Sequence, residues 1–326
     1  MEIFSTAFLV ALVAGALRQT TPLLFTALGG MFNERSGVVN IALEGIINFG
    51  ALAAAVTVQL VEAPYLAHDP NARIWWIPWL GVLAAIVVGV LVAWIHAVVS
   101  IRYRADQIVS GTAVNMLSFG LPSILLLFLY GNTSDSKDVV HRILPMDAYL
   151  PFLRDFFSTP LGRILDQSPL VYLAFLLVPL TYYLLFKTPW GLRLRSVGEN
   201  PEAADSLGIN VFWMRYQGVL LSGVLAGLAG AYLSISELNH FTRLMAAGRG
   251  FIALAALIFG QWHPLGILGA TLLFGFAEAF RILIEGTGIL PSPLIQAFPF
   301  VLTMLVLAGF IGRARPPAAI GKPYEK

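Results

Sequence analysis

Long apolar stretches follow one another along this chain, separated by short polar segments. A membrane-spanning helix needs about 17–25 mostly apolar residues. Six stretches reach that length, namely 38–61, 75–101, 108–131, 169–186, 216–235 and 294–311. They are too long and too continuously apolar for the strands of a membrane barrel, which alternate over about 10 residues. The pattern predicts an all-α protein that crosses a bilayer many times.

Composition agrees with a lipid-facing surface. Of the residues, 58% are hydrophobic and 12% are charged, whereas about 25% are charged in a soluble domain. The absence of cysteine excludes disulfides, thiolate metal sites and thiol nucleophiles. The net charge is +2 and the basic residues are scattered over short loops, so we expect no nucleic-acid partner.

The sequence carries no recognisable enzyme signature. It contains no G-x-x-x-x-G-K-[ST] phosphate-binding loop, so the chain itself is not expected to bind ATP by that route. It also contains neither a His/Glu spacing suited to a metal nor a G-x-S-x-G nucleophile motif. We therefore expect no catalytic residue, cofactor or metal.

Charge predicts the orientation of the chain, because Lys and Arg concentrate in cytoplasmic loops. Basic residues are found in loop 187–215, in the turn 102–107 and in the tail from residue 313. We place these three segments in the cytoplasm. Loop 132–168 has four basic residues but five aspartates, and we place it outside.

Two apolar regions are interrupted. Region 3–32 contains Arg-Gln-Thr-Thr-Pro at 18–22, and it forms either one long span or two short ones. Region 251–284 must supply an even number of crossings if residues 215 and 313 share a side. We therefore predict a break near Gly260–Pro264, with a short segment before it and a longer one after it. The result is one membrane domain over residues 1–326, a bundle of about nine or ten helices.

Loop 187–215 contains signals for a short helix. Asn200 is a good N-cap, Pro201 suits the first helical position, and Gly208 is a natural stop. A helix of about two turns is not stable alone, so it must pack on something, either its own chain or a partner. The small side chains at 203 and 204 would fit a groove. The complete candidate surface is Glu199, Asn200, Pro201, Glu202, Ala203, Ala204, Asp205, Ser206, Leu207 and Gly208.

Polar residues also occur inside predicted spans. Asn40, Glu44 and Asn48 recur at i, i+4 and i+8, which puts them on one face of a helix. Asn115 lies several residues inside another span. Such residues usually face a bundle interior or a water-filled path. They are candidates for a substrate path, and the alternative is hydrogen bonding between neighbouring helices.

Two motifs resemble a known family. Residues 195–204 read RSVGENPEAA and are followed by GINV at 208–211, and residues 34–45 read ERSGVVNIALEG. The first resembles the cytoplasmic coupling segment of ABC-importer permeases in the branched-chain amino acid, simple-sugar and nucleoside family. The second resembles the early signature of its nucleoside-type branch. The resemblance covers most of the chain, from about residue 15 to 312.

The resemblance implies a multi-pass permease of the prokaryotic inner membrane with the type II importer fold. It implies that residues 199–208 contact a separate ABC ATPase subunit. It also implies a second permease subunit, often a non-identical one, and an extracytoplasmic substrate-binding protein. The expected substrate is a nucleoside or a related simple sugar.

An ion-coupled secondary transporter is the alternative function. Such a transporter would show paired carboxylates or inverted repeats near the middle of the membrane. Glu44 and Glu278 are too few to support it. Glu278 and Arg281 stand at i and i+3, so we expect them to pair as a structural contact between neighbouring turns.

Overall fold

The computed structural model describes residues 5–70, 73–285 and 315–325, together with residue 291 and the pieces 293–295, 297–298 and 301–302. Most of the predicted span 294–311 lies outside the described residues. In chain order the α-helices of the described part are α1 (Thr6–Arg35), α2 (Leu43–His68), α3 (Ile77–Ala97), α4 (Gln107–Tyr130), α5 (Met146–Tyr149), α6 (Arg154–Ser158), α7 (Pro160–Leu165), α8 (Pro169–Lys187), α9 (Pro189–Glu199), α10 (Pro201–Ser206), α11 (Val211–Tyr232), α12 (Arg249–Phe259) and α13 (Pro264–Glu285). The π turns Val98–Arg102 and Leu233–Glu237 extend α3 and α11, and a 3-10 turn covers Pro151–Leu153.

Seven helices of the described part are long and apolar enough to cross a membrane: α1, α2, α3, α4, α8, α11 and α13. This confirms the prediction of an all-α polytopic membrane protein. The first helix continues through Pro22 without a break, so the alternative of two short N-terminal spans is wrong.

The predicted break in region 251–284 is confirmed. Helix α12 ends at Phe259, and α13 begins at Pro264 after a turn in which Gln261 and Trp262 have positive φ angles of 53° and 52°. A helix of 11 residues is about 16 Å long, roughly half of the ~30 Å hydrocarbon core. Helix α12 is therefore a half-helix, and its N-terminus lies at about mid-depth when its C-terminal turn lies at one surface.

Helix α11 occupies the centre of the bundle, between α1, α2 and α3. Small residues allow this close packing. A Cβ atom at Gly227 would lie 2.5 Å from the Ala85 carbonyl oxygen, and one at Gly230 would lie 2.4 Å from the Ile47 carbonyl oxygen. Membrane helices approach closely through such positions because lipid provides no hydrophobic driving force for their association.

The basic segments share one end of the bundle, which we call the basic end: α9, α10, the turn 103–106 and the tail 315–325. The tail is bound there by hydrogen bonds from the Ala319 amide to the Gly198 carbonyl (2.9 Å) and from the Gly321 amide to the Gly37 carbonyl (3.0 Å). Arg104 forms an ion pair with Glu325 at 2.6 Å.

Residues 131–168 lie at the opposite end, which we call the loop end. The Ile143 amide donates to the Ile235 carbonyl (2.8 Å), and the His141 amide donates to the Glu62 carboxylate (2.9 Å). The segment thereby covers the far ends of α2 and α11. The two sets of loops that differ in charge are therefore separated by the length of the bundle.

Loop 187–215 contains more helix than its sequence predicted. Helix α9 fills residues 189–199, directly before the predicted short helix α10. The Thr188 hydroxyl accepts a hydrogen bond from the Gly191 amide at 3.1 Å, and Pro189 takes the first helical position. These are favourable N-terminal signals. The short helix is therefore not isolated between two spans, because it continues directly from α9.

The separation of charge predicts the sidedness of the chain. Because the sequence contains no cysteine, single cysteines report their own accessibility. A maleimide that cannot cross membranes should label the exposed position of Ser206→Cys only from the cytoplasm, and that of Ser158→Cys only from outside. Labelling of Ser206→Cys from outside would invert the assigned orientation.

Candidate functional site

The N-terminus of α12 is bound by two side chains of α2. The two carboxylate oxygens of Glu44 accept hydrogen bonds from the amides of Gly248 and Gly250, both at 2.7 Å. The Asn48 side-chain oxygen accepts one from the Ala246 amide at 2.9 Å. The first amides of any helix lack a partner within the helix, and the bilayer core supplies none. Glu44 and Asn48 therefore provide the acceptors that a helix starting at mid-depth requires.

This contact needs a close approach of two backbones and a favourable charge. A Cβ atom at Gly250 would lie 2.5 Å from the Glu44 amide nitrogen, so only glycine allows α12 to approach α2 this closely. The N-terminus of a helix carries a partial positive charge, which favours a carboxylate there. Glu44 is only 4% exposed, so these amides rather than water are its main hydrogen-bond partners.

Asn40 does not share a helix with Glu44 and Asn48, so the prediction of one polar face is wrong. Helix α2 begins only at Leu43, and Gly37 has a φ angle of +89° that ends the preceding helix. In the short segment between the two helices, the Asn40 side-chain nitrogen donates to the Ser222 hydroxyl of α11 at 2.9 Å.

Asn115 of α4 binds the same segment from the other side. Its side-chain oxygen accepts from the Gly45 amide at 2.8 Å, and its side-chain nitrogen donates to the Ile41 carbonyl at 2.9 Å. The four candidate path residues are thus all buried and bound to neighbouring elements of the same chain. A role of these residues in lining a substrate path stays a prediction.

At the basic end the predicted short helix is present as α10. The Asn200 side-chain oxygen accepts from the Ala203 amide at 3.0 Å, Pro201 is the first helical residue, and Gly208 follows the helix with a φ angle of +80°. These are the local contacts that its sequence predicts.

The structure changes which side chains of α10 a partner can reach. Ala204 is only 2% exposed and packs in the core of its own chain, whereas Leu207 is 80% exposed. The expectation that both alanines fit a partner groove is therefore wrong for Ala204. The accessible side of α10 presents Glu202, Ala203 and Ser206, and the exposed Leu207 directly follows the helix.

Polar contacts of Glu34 and Arg35 connect the segment before α10 to the half-helix. Glu199, the last residue of α9 and two positions before α10, lies 3.9 Å from the Arg35 guanidinium. Arg35 also donates twice to the Trp262 carbonyl, at 2.9 and 3.2 Å. The Trp262 indole donates to the Glu34 carboxylate at 2.5 Å. Because Trp262 lies in the turn after α12, the end of α1 joins the base of α10 to the C-terminal end of α12.

The tail completes the support of α10. The ring of Tyr324 lies 5.5 Å from that of Phe212, and its hydroxyl hydrogen bonds with Asp205. Burial raises the pKa of the Tyr324 phenol, and the bond to Asp205 raises that pKa further. The sequence pattern did not predict this contact. The aromatic residue in the tail was the available signal.

Comparison with known proteins places these features in a family context. A family described as "Branched-chain amino acid transport system / permease component" matches residues 12–307. The match includes the half-helix, its acceptors on α2, and α10. No solved structure matches the chain.

Several relatives carry transporter names. The guanosine ABC transporter permease protein NupQ of Bacillus subtilis is 43% identical over 97% of this chain and 96% of its own length. The nucleoside ABC transporter permease protein NupC of Lactococcus lactis is 41% identical over the same shares. The guanosine ABC transporter permease protein NupP of Bacillus subtilis is 22% identical over 91% of this chain and 81% of its own length.

The contacts of Glu44 predict a graded loss of stability. Glu44→Ala leaves two buried amides without an acceptor, at a cost of about 1–3 kcal/mol each. Glu44→Gln retains one side-chain oxygen and should fall between this variant and wild type. Thermal unfolding of the purified protein would measure both changes. Ser123→Ala is the control, because the Ser123 hydroxyl has no partner among the described residues. If Glu44→Ala unfolds at the temperature of this control, the amide contacts do not stabilise the fold.

A second prediction concerns transport. Glu44→Gln should lower solute uptake more than it lowers the amount of folded protein in the membrane, because it loosens α12 without removing both acceptors. Uptake divided by folded protein, compared with wild type, measures this. An unchanged ratio would mean that Glu44 only supports the fold.

Proposed function

The chain belongs to the family of branched-chain amino acid transport system permease components, and from that membership we propose that it is the membrane-spanning subunit of an ABC importer for a nucleoside. The observation that carries the choice of substrate is the 41–43% identity, over 97% of the chain, to permeases named for guanosine and nucleosides. Seven helices of membrane-spanning length within the described part agree with a permease.

ATP hydrolysis belongs to a separate subunit in this proposal. The chain has no phosphate-binding loop of the common type. The accessible side of α10 provides the contact for the ATPase. The side chain of Leu207 is apolar and 80% exposed. Burial of this side chain in a groove of the partner would therefore stabilise the contact. With the basic end in the cytoplasm, this surface faces the compartment that holds ATP.

The contacts around α12 suggest how movement of the ATPase reaches the membrane interior. A force on α10 is transmitted through Glu199 and Arg35 to the turn at Trp262, and then along α12 to Glu44. Each step is a direct polar contact or a continuous helix. A ligand shifts an equilibrium only through contacts that differ between two states. We propose that the position of α12 is what differs.

A second permease and a binding protein complete the importer. NupQ and NupP are both named as guanosine permeases of one bacterium, which supports a pair of non-identical permeases. An extracytoplasmic binding protein would contact the loop end, where residues 131–168 form the outer surface. These partners come to this chain through its relatives.

The ion-coupled alternative gains no support from the carboxylates. Glu44 binds two amides at 2.7 Å, and Glu278 pairs with Arg281 at 2.6 Å. The Glu278–Arg281 ion pair is the predicted structural contact between neighbouring turns. Both carboxylates therefore have contacts within the chain that account for them without a coupling ion.

Uptake of tritiated guanosine by cells that express the complete transporter tests the proposed function. Deletion of this permease should abolish ATP-dependent uptake, and excess unlabelled nucleoside should compete with the labelled one. Retention of nucleoside uptake in the deletion strain, together with loss of uptake of another solute class, would contradict the assigned substrate.

The proposed ATPase contact at α10 and Leu207 can be tested by mutation. Leu207→Asp should reduce copurification of the ATPase at least tenfold, because full burial of a leucine side chain contributes about 1.5–3 kcal/mol. The amount of permease in the membrane should not change, since the side chain is exposed. Leu161→Asp is the matched control, because Leu161 is 60% exposed at the loop end. Equal ATPase recovery from both variants would remove α10 as the coupling surface.

A further inference from the structure

A polar cavity of about 180 Å³ lies at the loop end, between α1, the N-terminus of α8 and the π turn that follows α11. Its polar walls include Arg18, Arg142, Asp166, Ser168, Ser236 and Glu237. The larger groove among α2, α3 and α4, of about 480 Å³, has almost entirely apolar walls. Only the first of these two cavities can satisfy a hydroxylated ligand.

Two hydroxyl groups of the polar cavity have unused hydrogen-bonding capacity. The oxygens of Ser168 and Ser236 are buried and find no hydrogen-bond partner among the described residues. Ser168, 8% exposed, occupies the N-cap position of α8, yet its side chain accepts no bond from that helix. A serine at this position usually does. A buried hydroxyl without a partner is unfavourable. Both oxygens are covered in this structure, so each serine side chain must rotate about its Cα–Cβ bond before a ligand in the cavity can supply the missing partner.

The charges around the cavity cancel. Arg18 and Arg142 contribute two positive charges, and Asp166 and Glu237 contribute two negative ones. The formal sum of zero favours a neutral ligand over an anion or a cation. The walls offer donors and acceptors together, which suits a ligand whose groups both donate and accept.

Each carboxylate retains capacity for a ligand. Asp166 accepts one hydrogen bond from the Asp147 amide at 3.0 Å. Glu237 accepts from Gln19 at 3.3 Å and from the Tyr232 hydroxyl at 3.0 Å. A carboxylate offers about four lone-pair sites, so both can also accept from neighbouring hydroxyls of a sugar ring.

We propose that this cavity binds the ribose ring of a nucleoside at the outer face of the permease. The proposal deepens the proposed function and rests on it. The cavity is smaller than the ~300–1,000 Å³ of sites that enclose a whole drug-sized ligand, so it accepts one ring while the base extends through the opening. The vicinal hydroxyls donate to Asp166 and Glu237, and the single ring oxygen and the hydroxyl oxygens accept from the arginines and serines. A free pentose presents the same ring, so the test must separate the two sources.

Protection of a single cysteine tests the site directly. In the assembled transporter, Ser168→Cys is treated with a small maleimide with and without guanosine or free D-ribose. Bound ligand should slow labelling about three- to tenfold, and Ser236→Cys should respond in the same way. Ser158→Cys on the exposed surface of the same loop is the control and should be labelled equally fast throughout.

The two ligands give distinct outcomes. Protection by both supports recognition of the ring, and protection by guanosine alone supports a site that also needs the base. Protection by ribose without any nucleoside uptake by wild type retains the cavity as a sugar site and overturns the nucleoside function. If both cysteines are labelled at ligand-independent rates, or are not labelled at all, the proposed site is wrong.

Serine-to-alanine variants provide the second measurement. Ser168→Ala and Ser236→Ala remove hydroxyls that have no partner within the described chain, so the melting temperature should not fall. The guanosine concentration for half-maximal uptake should rise about three- to tenfold, the loss expected for roughly one hydrogen bond. Ser123→Ala on α4 removes another such hydroxyl outside the cavity and should leave uptake unchanged. Wild-type half-saturation in both cavity variants would overturn the proposal.

Discussion

Helix α12 starts inside the bilayer, and its first backbone amides need hydrogen-bond acceptors. This requirement determines much of the structure around it. Lipid offers no partner to the free amides at the N-terminus of α12. Glu44 and Asn48 satisfy amides of residues 246, 248 and 250, and Gly250 allows the two backbones to approach closely enough. A carboxylate in the interior of an apolar bundle is costly unless it is compensated. Here the helix supplies the compensation, so the carboxylate and the broken helix require each other.

The turn after the C-terminal end of α12 is bound by the end of α1, next to the segment 199–208. Arg35 contacts both the Trp262 carbonyl and Glu199, so α12 lies between two polar contacts about 16 Å apart, the length of its 11 residues. A short helix bound at both ends moves as a unit, which suits it to transmit a displacement. The tail reinforces this arrangement, because the Ala319 amide binds the Gly198 carbonyl beside Glu199.

Much of the fold could be predicted from the sequence, because its signals are local. Apolar stretches of sufficient length predicted the spans, the sequence at 261–264 predicted the break before α13, and Asn200 with Pro201 predicted α10. Contacts between distant segments could not be predicted in this way. Glu44 and Gly248 are separated by 204 positions, so no local pattern joins them. Asn40 was misplaced because its spacing suits a helix, whereas the backbone around Gly37 ends one helix and delays the next. The site residues were therefore identified more readily than their partners.

The ratio of guanosine molecules transported to ATP molecules hydrolysed, measured in proteoliposomes with the complete transporter, tests the link through α12 most directly. Arg35→Ala removes the contacts to both Trp262 and Glu199 while leaving the accessible side of α10 unchanged. Arg193→Ala is the control, since Arg193 is an exposed arginine of α9 at the same end. The account predicts that Arg35→Ala still hydrolyses ATP but transports fewer molecules per ATP, whereas the control keeps the wild-type ratio. A wild-type ratio for Arg35→Ala, with uptake and hydrolysis unchanged or reduced in parallel, would contradict it.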